Sequence, residues 1–225
     1  MLFSILGDSL STYYGWNPRG YAVFYDRDMA LENELSSVKD TWWGQVIASY
    51  GGDLVMNNSF SGSRVTGNGF PATSSPERLG DLRTNPESDV ILCYIGLNDF
   101  GYGVPVGRRH GLFSKPNLMC FADAYPAMLT GIKRLLPKTR LVCSTLMETF
   151  IRNRPDLVFP YDFGLNEPLS AFNDVIRKSC KRARVPLVDL NAMGIIYETL
   201  DGAHATRTGH RTIAQGWQAG LRGLL

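Results

Sequence analysis

Leu2-Phe3-Ser4-Ile5-Leu6-Gly7-Asp8-Ser9-Leu10-Ser11 opens the chain, and the reading of this stretch decides the fold. An apolar run that stops at Gly-Asp-Ser has the signature of a buried strand with a glycine marking its end. A serine just past the end of a parallel strand lies at the carboxyl edge of its sheet, where open α/β sheets place their ligands. Ser9 is therefore a candidate nucleophile, and a nucleophile requires a base and an oxyanion hole. More simply, the stretch is a strand-to-loop turn in which Asp8 and Ser9 satisfy backbone groups. The rest of the chain has to choose between these readings.

Working outward, residues 54–57, 90–95, 141–146 and 185–190 repeat the strand-like pattern. Segments of helical period lie between them. Asp40 reads as the N-cap of one helix, with Trp43, Ile47 and Tyr50 on a common face. Ser75-Pro76-Glu77 opens a second, with proline in the first turn. Residues 121–136 form a third, ended by Pro137, with Pro126 in its first turns or at a kink. Asn166-Glu167-Pro168 opens a fourth, whose apolar stripe runs through Leu169, Phe172, Val175, Ile176, Cys180 and Ala183. A last helix covers residues 208–221. This alternation predicts an α/β fold: a five-stranded, mostly parallel sheet with right-handed crossovers and helices on both faces. The length suits a single domain over residues 1–225. Three long loops, 12–39, 100–119 and 147–165, follow strands one, three and four and so share the edge that carries Ser9. Long loops in compact α/β domains tend to be functional, which weighs against the simpler reading.

Composition narrows the function classes. Hydrophobic residues make up 44% and charged residues 20%, so the chain has ordinary globular character. A formal charge of +2 is too small to imply nucleic acid or an anionic membrane as partner. The cluster Lys181-Arg182 with Arg184 reads as the solvated end of a helix. No apolar run is long enough to span a bilayer, and with the first strand starting at once no signal peptide is expected. The four cysteines are widely spaced, and Cys93 and Cys143 lie inside apolar runs as buried reduced thiols. A cytoplasmic location is expected on these grounds.

Ser9 needs a histidine, and the chain has three. His110 sits in the basic loop Arg108-Arg109-His110-Gly111 and reads as a surface residue. His210 shares a helical face with Ile213, Ala214, Trp217 and Leu221 and reads as a packed helix residue. His204 differs, lying in the loop Asp201-Gly202-Ala203-His204 ahead of the last helix. An Asp three residues before a His, across a Gly-containing turn, can fix the imidazole tautomer and stabilise the imidazolium. An Asp-Gly turn with an idle loop histidine fits the same residues. A metal pair lacks a third ligand at useful spacing. Asn98, in Gly96-Leu97-Asn98-Asp99 after the third strand, can donate to a developing oxyanion, or it can cap a helix. Gly62, in the loop after strand two, would let a backbone N–H approach a substrate, or it is an ordinary loop glycine.

Taken together, Gly7-Asp8-Ser9-Leu10, Gly62, Gly96-x-Asn98-Asp99 and Asp201-x-x-His204 resemble the SGNH hydrolase superfamily, the GDSL-type esterases and lipases. The blocks occur in the family's order, each at a strand or loop end, over residues 7–204. The resemblance implies a flavodoxin-like three-layer α/β/α fold with Ser9, Asp201 and His204 as a catalytic triad. It also implies an oxyanion hole made by the N–H groups of Ser9 and Gly62 and the Asn98 side chain. The family often has proline after the histidine, where this chain has Ala205. No metal or cofactor is implied. The nucleophile elbow G-x-S-x-G of the α/β-hydrolase fold is not matched, because Ser11 stands at the second glycine position. The dinucleotide fingerprint G-x-G-x-x-G after strand one is missing too. Phosphate binding by loop 9–13 would leave Asn98 and His204 without a role.

The first loop is rich in rings: Tyr13, Tyr14, Trp16, Tyr21, Phe24 and Tyr25, followed by Trp42 and Trp43. Flat rings with polar tips suit sugar faces, and several of them also serve to pack the loop. Tyr13, Tyr14 and Trp16 are candidate substrate contacts, as is Arg64, which could meet an anion or a sugar hydroxyl or brace the loop through Asp99 or Asp8. The expected partner is a small-molecule ester, an acetylated sugar being the first choice, and the sequence is silent on oligomeric state. A thioesterase or lysophospholipase is the alternative enzyme, and a non-catalytic carbohydrate-binding module the alternative outside enzymes.

Overall fold

A computed structural model describes residues 1–107, 115–158 and 167–225. The chain runs β1 (Leu2–Gly7), α1 (Arg27–Glu32), α2 (Trp42–Ser49), β2 (Asp53–Ser59), α3 (Pro76–Gly80), β3 (Val90–Tyr94) and α4 (Leu97–Gly101). It continues through α5 (Phe121–Leu135), β4 (Arg140–Ser144), β5 (Glu148–Ile151), β6 (Arg154–Val158) and α6 (Leu169–Ala183). β7 (Leu187–Val188), β8 (Ile196–Thr199) and α7 (Arg207–Leu221) complete it.

The central sheet has five strands, all parallel, in the order β2-β1-β3-β4-β7. This is the flavodoxin-like order, in which the chain winds outward in both directions from a switch point between β1 and β3. Every residue of β3 is buried, as expected for a parallel strand covered on both faces. Phe3, Ile5 and Leu6 of β1 are fully buried beside it, each contributing about 1.5–3 kcal/mol of burial energy. The helices pack in two groups, α2 against α7 and α5 against α3 and α6. The Trp42 and Trp217 rings stack 5.2 Å apart to join the first group. No helix among the described residues is long and apolar enough to cross a membrane.

Register sets the site. Gly7 pairs with Ser59 of β2 and Tyr94 of β3, so three strands end in line. The segments that follow carry Ser9, Gly62 and Asn98, and they leave the sheet together. Gly7 is required by close approach, since a Cβ there would meet the Ser11 hydroxyl at 2.6 Å.

Some local expectations shift. Thr41, not Asp40, caps α2 by accepting from the Gly44 amide at 3.0 Å. Asp40 instead closes a capping box with Ser37 on the short 3-10 turn just before. A carboxylate three residues after a serine satisfies that earlier turn first. The last strand, expected over 185–190, pairs only at Leu187–Val188 because it lies at the sheet edge. Much of the segment read as a loop over 147–165 folds into β5 and β6, and with β8 these form a second sheet in the order β6-β5-β8. In β5 and β8 more and less buried side chains roughly alternate, a weak pattern over such short strands.

Candidate active site

The turn after β1 is held from every side. The Asp8 carboxylate accepts from the Leu10 amide, and the Ser9 carbonyl accepts from both the amide and the hydroxyl of Thr12. The Ser11 carbonyl accepts from the Trp43 indole and the Asn57 amide, each at 2.9 Å, and its hydroxyl accepts from the Trp42 indole. Trp42 and Trp43, at the start of α2, thus serve the turn rather than a ligand. Beneath it, Arg78 is a fully buried cation whose guanidinium donates to the carbonyls of Gly7, Asn58 and Pro71 and to the Asn58 side chain. Burial lowers its pKa to about 10, against the charges of Tyr21, Asp81 and Asp8. Nothing in the sequence singled out Arg78, a charge on a five-residue helix.

Asp8 is buried, and burial pushes its pKa up to about 7 despite the Leu10 amide, with the charge of Asp99 adding to the rise. Folding therefore favours the neutral acid. Its stabilising share is complete below about pH 4 and is lost as pH rises toward 7. Asp8→Asn keeps an acceptor for Leu10 and removes the charge. It should raise unfolding free energy by about 2–4 kcal/mol at pH 8 and by little at pH 4, read from urea titrations at both values. Equal effects at the two pH values would show that charge is not the cause.

Opposite the turn stands the loop between β8 and α7. One oxygen of Asp201 accepts from the Ala203 and His204 amides at 2.9 and 2.8 Å. The other lies 2.6 Å from His204 Nδ1. Burial alone would raise the Asp201 pKa, but the hydrogen bond and charge of His204, with the two amides, hold it at about 2. The carboxylate therefore stays ionised. Proline after the histidine is not needed to stiffen this loop. Thr149 donates to the Gly202 carbonyl, Tyr197 to that of Ala203 and Tyr25 to that of Ala205. Thr206 then caps α7 by accepting from Gly209.

These supports bring residues 195 positions apart into contact: His204 Nε2 lies 2.9 Å from Ser9 Oγ. Hydroxyl, imidazole and carboxylate stand in the order that activates an oxygen nucleophile. Gly62 lies exposed on the neighbouring turn at φ +77°, a conformation that favours glycine. Asn98 joins that turn by donating to the Ser63 carbonyl at 2.9 Å. The adjacent Asp99, fully buried, accepts from the Val65 and Thr66 amides at 2.7 and 3.0 Å. Burial raises its pKa to about 6 against those bonds. Asp99 on backbone amides thus braces this loop, and among the described residues Arg64 acts on Asp99 through its charge and not through a hydrogen bond.

The remaining candidates are placed as follows. Arg64 is half-buried and lines a cavity of about 500 Å³ with Gly62, Thr66, Asn68, Phe70 and Met119. Tyr13 is buried and stacks on the half-buried Tyr14 at 4.7 Å, and Trp16 is 45% exposed. His210 is fully buried, with Nδ1 accepting from the Trp42 amide at 3.1 Å. Burial, together with the charge of His204, pushes its pKa down to about 3. His110 and parts of loops 100–119 and 147–165 lie outside the described residues. The sequence named Phe24 only as one ring among many. Its ring in fact lies face to face with that of His204, centroids 3.3 Å apart.

The trio thus stands at the carboxyl edge of a doubly wound parallel sheet of the flavodoxin-like type, where such sheets place their ligands. The model of the GDSL-like lipase/acylhydrolase family matches residues 1–216, and the chain belongs to that family, within the SGNH hydrolase superfamily. The family supports an ester hydrolase in general. Among solved structures, a protein from Bacteroides ovatus described as a GDSL-like lipase is 24% identical, with a TM-score of 0.76 over 99% of this chain and 98% of its own. A second, from Bacteroides uniformis, is 26% identical, with a TM-score of 0.75 over 99% and 95%. TesA is 16% identical, with a TM-score of 0.58 over the whole of both chains. No curated protein matches the sequence significantly.

Proposed function

We propose that the protein is a serine esterase that removes a small acyl group, acetyl in the first instance, from a carbohydrate or similar polar alcohol. The observation that carries this reading is the continuous relay from Ser9 Oγ through His204 to Asp201, at 2.9 and 2.6 Å. His204 Nε2 takes the Ser9 proton as the hydroxyl oxygen attacks the ester carbonyl. Negative charge then develops on the carbonyl oxygen, and the amides of Ser9 and Gly62 with the Asn98 side chain receive it. Collapse expels the alcohol, which takes its proton from His204, and leaves an acyl-serine. Water attacks that ester with the same histidine as base, the bond to Ser9 Oγ breaks to release the carboxylic acid, and His204 returns the proton to Ser9. Asp201 keeps Nδ1 protonated throughout and offsets the imidazolium charge. A binding module on this fold would have no use for the relay.

The polar substrate rests on the cavity beside Gly62, to which Arg64, Thr66 and Asn68 contribute. Tyr14 and Trp16 are proposed to meet the alcohol portion, with Tyr13 packed behind Tyr14. Phe70 and Met119, 46% and 49% exposed on the same cavity, favour a second reading as an acyl hydrolase for longer chains, of the thioesterase or lysophospholipase kind. A nitrophenyl ester series separates them. The first reading expects kcat/KM for acetate to exceed that for octanoate by at least about tenfold, since one methylene is worth about 1–3 kcal/mol in a fitted pocket. A preference for octanoate would establish the second. A cytoplasmic setting is proposed as well, supported by four cysteines that are all free and buried.

A further inference from the structure

His204 is held by more than Asp201 and Ser9. The Phe24 ring covers one face of the imidazole at 3.3 Å between centroids, with the planes 9° apart. Phe24 is itself fixed, because its amide donates to Thr12 Oγ1 at 2.9 Å. That same hydroxyl donates to the Ser9 carbonyl at 2.8 Å. Thr12 is fully buried, so one side chain ties the backbone of the proposed nucleophile to the residue that faces the proposed base. Tyr25 completes the support. Its ring meets Phe24 edge-on at 4.9 Å, and its hydroxyl donates to the Ala205 carbonyl at 2.8 Å, just past the histidine.

We infer that Phe24, hung from Thr12, is a positioning residue for His204 whose aromatic face also meets the imidazolium formed during the reaction. The inference rests on the Ser9–His204–Asp201 reading above. Two physical effects follow from the stacking. The flat ring blocks rotation of the imidazole out of line with Ser9 and keeps water from one of its faces. The negative face of the aromatic ring also attracts the imidazolium that forms when the base takes the serine proton. The first effect aligns the neutral base with Ser9 and the second acts once the proton is on the histidine; neither touches the substrate, so both belong to kcat rather than to substrate binding. An aliphatic side chain of similar volume would fill the space but lack the negative face.

Two variants test this with nitrophenyl acetate across pH. Phe24→Leu should lower kcat about 5- to 20-fold with less than about twofold change in KM. The acid limb of its kcat/KM profile should move down by about half a pH unit, because the imidazolium loses a favourable neighbour. Phe24→Tyr, which keeps the aromatic face, should return the limb to its wild-type position. Thr12→Val removes the three hydrogen bonds of the hydroxyl, to the Ser9 carbonyl and from the Phe24 and Tyr25 amides, at nearly constant shape and should lower kcat in the same direction. The double variant should be no slower than the slower single one, since both act through one ring. An unmoved acid limb in both Phe24→Leu and Thr12→Val, with only Tm reduced, would show plain packing and overturn the inference. A rise in KM at constant kcat would overturn it in favour of a substrate contact. If Ser9→Ala is inactive while both variants are silent, only this inference fails. If Ser9→Ala remains active, the reading beneath it fails as well.

Discussion

Replacing Ser9 by alanine is expected to lower kcat on nitrophenyl acetate by about 10⁵–10⁶-fold, the loss typical of a serine nucleophile whose triad acts as a unit. The residue has no other large task. Its hydroxyl pairs with His204 Nε2, whereas the turn around it is held by the Asp8 carboxylate, the Thr12 hydroxyl and the two indoles on Ser11. Those bonds use backbone groups or neighbouring side chains and survive the substitution, so Tm should move by only a few degrees. KM should also change little, because the cavity beside Gly62 and the proposed oxyanion donors stay in place. A protein that remains folded but inactive would separate chemistry from stability. Turnover within about tenfold of wild type would mean that another group attacks the ester.

The second large effect is expected at Asp201. Asn in its place keeps the volume and an acceptor oxygen for the Ala203 and His204 amides, but it can present an N–H to His204 Nδ1. The imidazole would then carry its proton on the nitrogen that faces Ser9, the wrong tautomer for a base, and kcat should fall by about 10³–10⁴-fold. The pH profile adds a sign. Asp201 is held at about 2, so in the wild type it is ionised across the working range and offsets the imidazolium charge. Asp201→Asn removes that charge, and the acid limb reporting His204 should shift downward. A variant with nearly wild-type turnover would make the site a Ser-His dyad, with Asp201 serving only the loop.

Much of this arrangement is legible in the sequence, for particular reasons. Parallel strands covered on both faces leave apolar runs, so β1, β3 and β4 could be placed to within a residue or two. The strand ends then located Ser9 and Asn98 without any contact being known. His204 could be separated from His210 because one sits in a loop and the other on an apolar helical face. What stayed hidden depends on contacts between distant segments. Arg78 is a buried cation satisfied by carbonyls rather than by a carboxylate, and no spacing announces that. Phe24 reaches His204 across 180 residues, and among eight loop and helix aromatics the sequence offers no reason to prefer it. The second sheet is not legible because its strands are four or five residues long, and β5 and β6 lie where the chain reads as a loop. The shift from Asp40 to Thr41 as the cap of α2 turned on which of two adjacent turns a carboxylate would serve.

The central claim is that Ser9 is a nucleophile activated by His204. A fluorophosphonate probe, followed by peptide mass mapping, tests it most directly, because such reagents phosphonylate a serine only where a base raises its nucleophilicity. The account predicts one adduct, on the peptide containing Ser9. Labelling should be lost in Ser9→Ala and slowed by at least about 10³-fold in His204→Ala. An adduct on another serine, such as Ser11 or Ser63, or labelling of Ser9 at an unchanged rate without His204, would contradict it.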